Sequence, residues 1–370
     1  MPFFLIKKKL ESFDWTLFIL IFLLLILGVA IQYSLSLGLE PGSLSIFKKQ
    51  VAFILLGLLI FFIVSFLDFR ILKSLGLVFY IVSLLLLLFL LIFGETFHGV
   101  KGWYFLGFIY FQPVELVKIV LIIIFAKIWA GKVKEAKEIK RIVLSFIFLV
   151  PPVILTLIQP DFGAALIFIL SWFFFTAINT QKTKYLLFIL VLLVLASLFL
   201  WGFVLKDYQK SRIISFFSPA EDPLGRGYQI AQSKIAIGAG RIFGRGIGYG
   251  SQGQMRFLPA SRNDFIFAAL SEELGFIGSI ALVILYALIF LKMIKISRTI
   301  YEHFGFFLVL GIAFNLFIQV IINTGMNLGL LPVVGISLPL ISYGGSSMVT
   351  TLFSLGIVES VIIRQRVTSA

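Results

Sequence analysis

Long apolar runs separated by short polar segments make up most of this chain of 370 residues. A helix that crosses a membrane needs roughly 20 mainly apolar residues, and many of these runs reach that length. They predict about ten helices, near residues 15–34, 50–67, 74–94, 112–130, 141–158, 162–178, 185–205, 264–291, 303–322 and 343–362. The predicted fold class is therefore an all-α integral membrane protein, with residues 1–370 forming a single polytopic domain.

Composition and charge restrict the partners that this chain can have. Hydrophobic residues make up 60% of the chain and charged residues 13%, which is far from the composition of soluble domains. In so apolar a chain, a net charge of +14 indicates loops held against anionic lipid headgroups, so we expect membrane lipids as partners and no nucleic acid. The absence of cysteine excludes disulfides, thiol catalysis and cysteine-based metal sites.

The positions of lysine and arginine predict how the chain is oriented. Most of these residues fall in alternate loops, near residues 7–9, 70–73, 132–141, 182–184, 292–298 and 364–366. Short loops that are rich in positive charge stay on the cytoplasmic side, so both termini are predicted to be cytoplasmic. Residues 206–263 then form a large extracytoplasmic loop between the seventh and eighth predicted helices.

The long loop combines apolar residues with many glycines. It is too apolar to be a flexible linker, so we expect it to fold back over the helices. Glycines allow close backbone approach, and Arg241 and Arg245 between them either suit a phosphate group or are solvated side chains on a turn. Residues 248–253 match the dinucleotide pattern G-x-G-x-x-G, but no predicted strand precedes them, so we interpret the match as chance.

A stretch without any charge lies between the last two predicted spans, at residues 323–347. It reads NTGMNLGLLPVVGISLPLISYGGSS and carries hydroxyls, amides, glycines and two prolines. Irregular backbone inside a membrane leaves N–H and C=O groups unpaired unless it is buried in protein or lines a wet cavity. The stretch therefore predicts a cavity on one face of the protein.

Several ionisable residues stand where predicted spans begin. Asp264 opens the eighth predicted helix, where a carboxylate either caps free N–H groups or acts as a general base, and both roles can coexist. Glu115 and Lys118 share one face of the fourth predicted helix at i,i+3 spacing and can pair. Such a pair inside a span indicates a functional pathway, and the alternative is a structural ion pair that fixes the helix register.

Other residues near the span ends have more ordinary interpretations beside a functional one. Asp161 lies in a tight turn before the sixth predicted helix and is first of all a candidate N-cap. Trp103 is either an interfacial aromatic residue or a side chain that stacks on a sugar ring. Glu272 and Glu273 lie farther along the eighth predicted helix, and we expect them to be buried structural partners.

Five ordered blocks of the sequence resemble one known family. They read HGVKGWYFLGFIYFQPVELVK, QPDFGAAL, YQKSRIISFFSPAEDPLGRGYQIAQSKIAIGAG, NDFIFAALSEELGFIG and NTGMNLGLLPVVGISLPLISYGGSS. Together they resemble the shape, elongation, division and sporulation (SEDS) family of RodA, FtsW and SpoVE, and the resemblance covers nearly the whole chain. The FDW start at residues 13–15, the brief tails and the HG pair at residues 98–99 are most similar to RodA.

This resemblance implies a peptidoglycan glycosyltransferase with ten spans. Such an enzyme polymerises lipid II into glycan strands with inversion, at the outer face of the cytoplasmic membrane, for cell elongation and shape. The resemblance implies that Asp264 is catalytic, and the predicted substrate-binding residues are Glu115, Lys118, Trp103, Gln112, Asp161, Arg212, Lys234, Arg241 and Ser342. Arg212, Lys234 and Arg241 are the candidates for stabilising the diphosphate leaving group.

The resemblance also implies ligands and a partner. The ligands are lipid II and the undecaprenyl-pyrophosphate-linked glycan, and the partner is a class B penicillin-binding protein, which is a transpeptidase. A divalent cation, Mg²⁺ or Mn²⁺, is expected to bind mainly through the substrate pyrophosphate, and no metal site made by the protein alone is predicted. Two alternatives stay open, a lipid II flippase and a non-catalytic scaffold of the cell-wall synthesis complex.

Overall fold

The computed structural model describes residues 9–38, 42–97, 99–107, 109–131, 138–199, 225–255 and 257–369, together with residues 202, 210 and 216. The described chain is mainly helical. Its helices are α1 (Trp15–Ser36), α2 (Ser43–Phe66), α3 (Arg70–Phe93), α4 (Pro113–Ala130), α5 (Glu138–Ile158), α6 (Phe162–Asn179), α7 (Thr183–Phe199), α8 (Arg226–Ala239), α9 (Ser251–Gln254), α10 (Ile266–Ser297), α11 (His303–Asn327) and α12 (Gly345–Ser369). Three short strands lie between α3 and α4, namely β1 (Glu95–Phe97), β2 (Val100–Phe105) and β3 (Tyr110–Phe111).

The predicted helical membrane fold is confirmed. Within the described ranges, eight helices are long and apolar enough to cross a membrane. Two further predicted spans coincide with α4, which carries Glu115, Lys118 and Lys127, and with α7, which has 17 residues. A helix thus stands at each predicted position, whereas the number of ten membrane crossings stays a prediction. The chain is a multi-pass membrane protein.

The strands β1, β2 and β3 form a small antiparallel sheet that the apolar pattern did not predict. Glu95 faces Trp103 across β1 and β2, and Tyr104 faces Phe111 across β2 and β3. Aromatic side chains stabilise such pairs, and the ring of Trp103 packs edge to face on Phe97 with 5.4 Å between the ring centroids. The sheet ends just before Pro113, so it places Trp103 at the start of α4.

Three helices form the buried centre of the molecule. Buried residues follow one another along nearly all of α4, as expected of a helix that is apolar on every side. Most residues of α11 and α12 are buried as well, whereas most residues of α2, α3 and α5 are at least partly exposed. Polar side chains on α4, α11 and α12 are therefore withdrawn from lipid.

Ion pairs join the helix ends at one face of the bundle. Asp14, just before α1, pairs with Lys292 of α10 at 3.1 Å and with Arg366 of α12. Arg364 of α12 pairs with Asp68, which precedes α3, at a more exposed position. The other ends of these helices form the opposite face of the bundle. The residues that the sequence predicts at a cavity lie at that face.

Asp14 contributes to the stability of the fold at this face in a way that depends on pH. Burial alone would raise the pKa of Asp14, but the hydrogen bond from the Leu17 N–H and the charges of Lys292 and Arg366 outweigh burial, and the pKa is lowered. Because the folded-state pKa lies below the unfolded value of about 4, the stabilisation is present above that value and is lost as the pH falls through the folded-state pKa.

We expect Asp14→Ala to reduce the free energy of unfolding by about 2 kcal/mol at pH 7, because a helix cap and the partner of two cations disappear. Asp68→Ala is the matched control, because Asp68 pairs with Arg364 at an exposed position. The Asp68 side chain is 30% exposed and that of Arg364 is 40% exposed. That control is expected to cost at most about 1 kcal/mol. Thermal unfolding in detergent measures both variants, and equal losses at pH 7 would contradict the special role of Asp14.

The glycine-rich part of the long loop packs against a break in α10. The break lies at Gly275, whose φ of 67° and ψ of −162° are not helical. The N–H groups of Phe276 and Ile277 donate instead to the carbonyl oxygens of Arg241 and Ile242, at 2.9 and 3.1 Å. The described glycine-rich part of the loop therefore folds back onto the helices through backbone hydrogen bonds, as the composition predicts.

Glu272 and Glu273 bind the same loop from the other side of the break, and both are buried. The Glu272 carboxylate accepts hydrogen bonds from the Gln252 N–H at 3.1 Å and from the Ser251 hydroxyl at 3.2 Å. The Glu273 carboxylate accepts a hydrogen bond at 2.5 Å from the hydroxyl of Ser34 in α1, and that hydroxyl accepts one from the Gly248 N–H of the loop at 2.8 Å. The prediction that these two residues are buried structural partners is confirmed.

We expect Gly244→Ala to destabilise the fold by about 3 kcal/mol or more, because the added methyl group meets backbone in a strained conformation. Gly244 has a φ of +81°, and a Cβ atom there would lie 2.1 Å from the carbonyl oxygen of Glu273. Gly238→Ala is the control, since a Cβ atom there meets nothing within 4 Å and the residue lies in α8. The control should unfold at the same temperature as the parent or slightly above it, and a similar loss in both variants would refute the packing argument.

Candidate functional site

A cavity of about 710 Å³ opens at the face opposite to the ion pairs. Its wall is built from β2, the first turns of α4, α6 and α12, the turn before α10, part of α2 and the irregular segment after α11. Its polar lining residues are Lys49, Trp103, Tyr110, Gln112, Glu115, Lys118, Asp161, Gln229, Asn263, Asp264, Ser337, Tyr343, Ser346 and Ser347. The prediction that the charge-free stretch at residues 323–347 marks a cavity is confirmed, because residues 333–337 and 343–347 of that stretch line it.

A stripe of buried amide side chains on α11 holds the irregular segment and the turn before α10. Asn315, Gln319, Asn323 and Asn327 follow one another at intervals of four residues, so they share one helix face. The Asn323 side-chain amide donates to the carbonyl oxygens of Asp264 at 2.9 Å and of Ile336 at 2.8 Å. The Asn327 amide donates to the same Asp264 carbonyl oxygen at 2.9 Å. These bonds pair backbone groups that lipid could not pair.

Asp264 lies in a turn, two residues before the start of α10. The N-cap position of α10 is Phe265, so Asp264 is not the N-cap residue that its sequence position suggests. Its carboxylate lines the cavity, and a Cβ atom added to Gly335 would lie 3.6 Å from its Oδ2 atom. The backbone of Asp264 is thus fixed by two amides while its half-buried carboxylate faces the cavity.

Glu115 and Lys118 form a buried ion pair at the wall of the same cavity. The Lys118 Nζ atom lies 2.8 Å from the Glu115 carboxylate and donates to the Gln319 Oε1 atom at 3.2 Å. Gln319 in turn donates to the carbonyl oxygen of Asn315 at 3.0 Å. The predicted pairing is confirmed, and the pair is exposed to the cavity instead of to lipid.

A second, much smaller pocket of about 10 Å³ lies beside this ion pair. It is lined by polar side chains of α11 and α12, including Asn315, Thr350, Thr351 and Ser354. Its volume is that of about one water molecule, and the buried Asn315 Oδ1 atom has no hydrogen-bond partner among the described residues. The polar wall of the main cavity thus continues between the central helices.

Asp161, Gln112 and Trp103 complete the set of predicted residues that the structure brings to the cavity. Asp161 is the N-cap of α6, as predicted, because its Oδ1 atom accepts a hydrogen bond from the Ala164 N–H at 3.0 Å. Gln112 is the N-cap position of α4, and its own N–H donates to the Ser346 hydroxyl at 2.9 Å. Asp161 and Gln112 are thus held at the starts of helices and Trp103 within β2, and all three residues line the cavity.

Three of the predicted binding residues do not line the cavity, and a fourth lies outside the residues that the structure describes. Ser342 is buried, and its hydroxyl donates to the Asn263 carbonyl oxygen at 2.6 Å and accepts from the Leu338 N–H at 2.8 Å. Lys234 is exposed on α8 and packs near Gly329. Arg241 lies on the exposed loop that binds the break in α10, and Arg212 lies outside the described residues.

The structure also brings residues to the cavity that were not predicted as site residues. Ser346, Ser347 and Tyr343 belong to the charge-free stretch, so the sequence did carry a signal for them. Burial raises the pKa of Tyr343 and the charge of Arg262 lowers it, with a raised value as the result, so the phenol stays neutral and can donate near pH 7. Lys49 carried no such signal, because it belongs to a short polar segment at the predicted end of a span.

The fold and the site define a polytopic membrane protein with a charged cavity at one face. Residues 14–367 match the family model described as "Cell cycle protein", which covers FtsW, RodA and SpoVE. The chain is 34% identical over 357 residues to the peptidoglycan glycosyltransferase MrdB of Escherichia coli strain K12, which covers 96% of this chain and 95% of that protein. The chain therefore belongs to the FtsW, RodA and SpoVE family.

Solved structures are similar over almost the whole chain. A structure of a peptidoglycan synthase complex that coordinates polymerization and crosslinking has a TM-score of 0.79 and 31% identity, covering 95% of this chain and 98% of that one. The rod shape determining protein RodA of Thermus thermophilus has a TM-score of 0.70 and 29% identity, covering 96% of this chain and 97% of that one. The helical membrane fold is thus shared with both structures.

Proposed function

We propose that this chain is a peptidoglycan glycosyltransferase that polymerises lipid II into glycan strands at the outer face of the cytoplasmic membrane, for cell elongation and shape. The observation that carries the proposal is the cavity that brings Asp264 together with the Glu115–Lys118 pair, Trp103 and Gln112. These residues come from three separate parts of the chain. Family membership and the activity named for the Escherichia coli relative support the same function.

The cavity has the properties that such a reaction needs. Its volume of about 710 Å³ lies in the range of ligand pockets, and its lining combines apolar residues with a few polar and charged groups. Trp103 at the rim offers an aromatic face for a sugar ring, and Ser346, Ser347 and Tyr343 offer hydroxyls. Positioning of two sugars against a carboxylate is therefore the chemistry that this wall supports best.

Asp264 acts as the general base in the proposed mechanism. The hydroxyl of the acceptor sugar loses its proton to the Asp264 carboxylate while its oxygen forms a bond to the anomeric carbon of the donor glycan. The bond between that carbon and the undecaprenyl diphosphate breaks, and the diphosphate leaves with the electron pair. Attack from the opposite side inverts the anomeric centre. The amides of Asn323 and Asn327 orient the base through its backbone.

A divalent cation, Mg²⁺ or Mn²⁺, fits this cavity as part of the proposal. Within the described ranges no group of three or more His, Cys, Asp or Glu side chains is placed to hold a metal ion. Such hard cations often bind through one or two carboxylates, waters and substrate phosphates, and Asp161 and Asp264 are carboxylates that line the cavity. A bound cation would supply positive charge that neutralises the leaving diphosphate.

The proposal includes a partner and an orientation. The partner is a class B penicillin-binding protein, whose transpeptidase activity crosslinks the new glycan. Similarity to a complex that coordinates polymerization and crosslinking supports this pairing. The loops rich in lysine and arginine support cytoplasmic termini and an extracytoplasmic cavity.

Purified protein with labelled lipid II and Mg²⁺, read for polymer on a gel, tests the proposed function. Polymer that depends on Asp264 supports it. No polymer even with the transpeptidase present, together with transfer of lipid II across vesicles, would favour the flippase. Absence of both activities, with retained binding of the transpeptidase, would favour the scaffold.

A further inference from the structure

Lys49 is a cation at the cavity that has no partner in the described structure. It lies in the second turn of α2, is exposed, and lines the cavity. Its ammonium group forms no hydrogen bond or ion pair with any residue that the structure describes. Lys118, in contrast, is paired with Glu115.

The neighbours of Lys49 fix its place at the cavity rim. Gln50 is buried, and its side-chain amide donates to the Ser342 carbonyl oxygen at 3.2 Å and accepts from the Gly344 N–H at 3.3 Å. One turn later, Phe53 packs so closely on Gly345 that a Cβ atom there would lie 2.6 Å from the ring. Because both contacts join α2 to the start of α12, the side chain of Lys49 is held beside the cavity.

The charges of the cavity show what Lys49 is suited to bind. The described lining carries the carboxylates of Glu115, Asp161 and Asp264 against the ammonium groups of Lys49 and Lys118. A diphosphate that enters such a cavity needs positive charge that is not already neutralised. The loop cations Lys234 and Arg241 do not line the cavity, so among the described lining residues Lys49 is the unpaired cation.

The surface of α2 below Lys49 is suited to a hydrocarbon chain. Leu56, Leu59 and Ile63 lie 7, 10 and 14 residues after Lys49, which places them on the same helix face. These three side chains are 44%, 58% and 52% exposed, so they face lipid. A ligand with a charged head at Lys49 can therefore extend its tail along α2 within the membrane.

We propose that Lys49 binds the diphosphate of the polyprenyl-linked substrate or product, as a positioning residue for the leaving group. This inference rests on the proposed function, because it identifies how the same cavity holds its lipid-linked sugar. An ammonium group donates strong, charge-assisted hydrogen bonds to phosphate oxygens. The polyprenyl tail then follows the apolar face of α2 while the sugar reaches the Asp264 side of the cavity.

Binding of undecaprenyl diphosphate to the full chain in nanodiscs of zwitterionic lipid tests this inference without any polymerisation. We expect Lys49→Gln to weaken binding about tenfold and Lys49→Arg to weaken it by less than about threefold, because arginine keeps the charge. Lys48→Gln is the matched control, since Lys48 is the exposed neighbour that does not line the cavity. It should bind as the parent does, and undecaprenol, which has no phosphate, should bind all variants alike.

Several results would overturn the inference. They are unchanged binding in Lys49→Gln, an equal loss in Lys48→Gln, an equal loss for undecaprenol, or no measurable binding of the diphosphate to the parent. Lipid II whose stem peptide carboxylates are amidated separates the two anionic parts of the substrate, and a Lys49 effect that disappears with it would assign Lys49 to the peptide and overturn the inference. If the parent makes polymer and Lys49→Gln binds the diphosphate normally, the Lys49 inference fails and the proposed function stands. If binding depends on Lys49 but the parent makes no polymer, the proposed function fails and the Lys49 inference stands.

Discussion

Asp264→Asn is expected to reduce lipid II polymerisation by about 10²- to 10⁴-fold, which is the range found when a general base is lost. The amide of asparagine has nearly the same shape as the carboxylate but cannot accept the proton of the sugar hydroxyl. Because the backbone carbonyl of Asp264 is bound by Asn323 and Asn327, the turn should keep its conformation. Polymer length and yield on a gel measure the effect, with the parent and the variant at equal concentration.

Two controls separate a chemical defect from a folding defect in Asp264→Asn. The variant should elute from a sizing column and unfold on heating as the parent does. Asp68→Asn, which changes a carboxylate on the opposite face, should keep the parent's polymerisation rate, since its pair with Arg364 is remote from the cavity. Polymer at the parent's level in Asp264→Asn would remove the catalytic assignment.

Lys118→Met is expected both to destabilise the protein and to abolish polymerisation. It leaves the carboxylate of Glu115, a residue that is 9% exposed, without its cation. Breaking a buried ion pair from one side typically costs about 3–5 kcal/mol. Glu115→Gln should have a comparable effect from the other side, because it leaves the ammonium group of Lys118 with neutral amide oxygens and no carboxylate as partners.

The double variant Glu115→Gln/Lys118→Met distinguishes the two interpretations of the pair. Because both charges are removed together, we expect it to recover most of the lost thermal stability, since neutral groups are less costly to bury. Polymerisation should stay absent if the pair contacts the substrate. Recovery of both stability and polymer would show that the pair is a structural lock only.

Much of the site could be predicted from the sequence because membrane burial leaves few explanations for polar residues. The charge-free stretch and the i,i+3 pair were informative for this reason, and both line the cavity. The place of Asp264 was less certain, since a carboxylate near a helix start is usually a cap and here the helix begins two residues later. The residues that line the cavity were thus easier to predict from the sequence than their exact positions relative to the helix ends.

Other parts of the site depend on contacts between distant segments. Ser342 looked like a ligand for substrate, but its hydroxyl binds the backbone of Asn263 and Leu338 instead. Nothing in the sequence around Lys49 indicates that Gln50 joins α2 to the start of α12. The loop glycines suggested a phosphate site, whereas they allow close packing against the broken helix. The type of a polar residue does not reveal whether its side chain binds the substrate or another part of the protein.

The amide stripe of α11 has a mechanical consequence. Gln319 contacts the ammonium group of Lys118, while Asn323 and Asn327 hold the carbonyl of Asp264, so one rigid rod spaces the two charged centres. Four to eight residues at about 1.5 Å per residue set that spacing at roughly 6–12 Å along the rod. Inserting a single residue after Gln319 would rotate Asn323 and Asn327 by about 100° around the helix axis. Both amides would then lose the Asp264 carbonyl oxygen, while Gln319 would keep its contact with Lys118. The distance between the Glu115–Lys118 pair and Asp264 therefore depends on the regular geometry of α11.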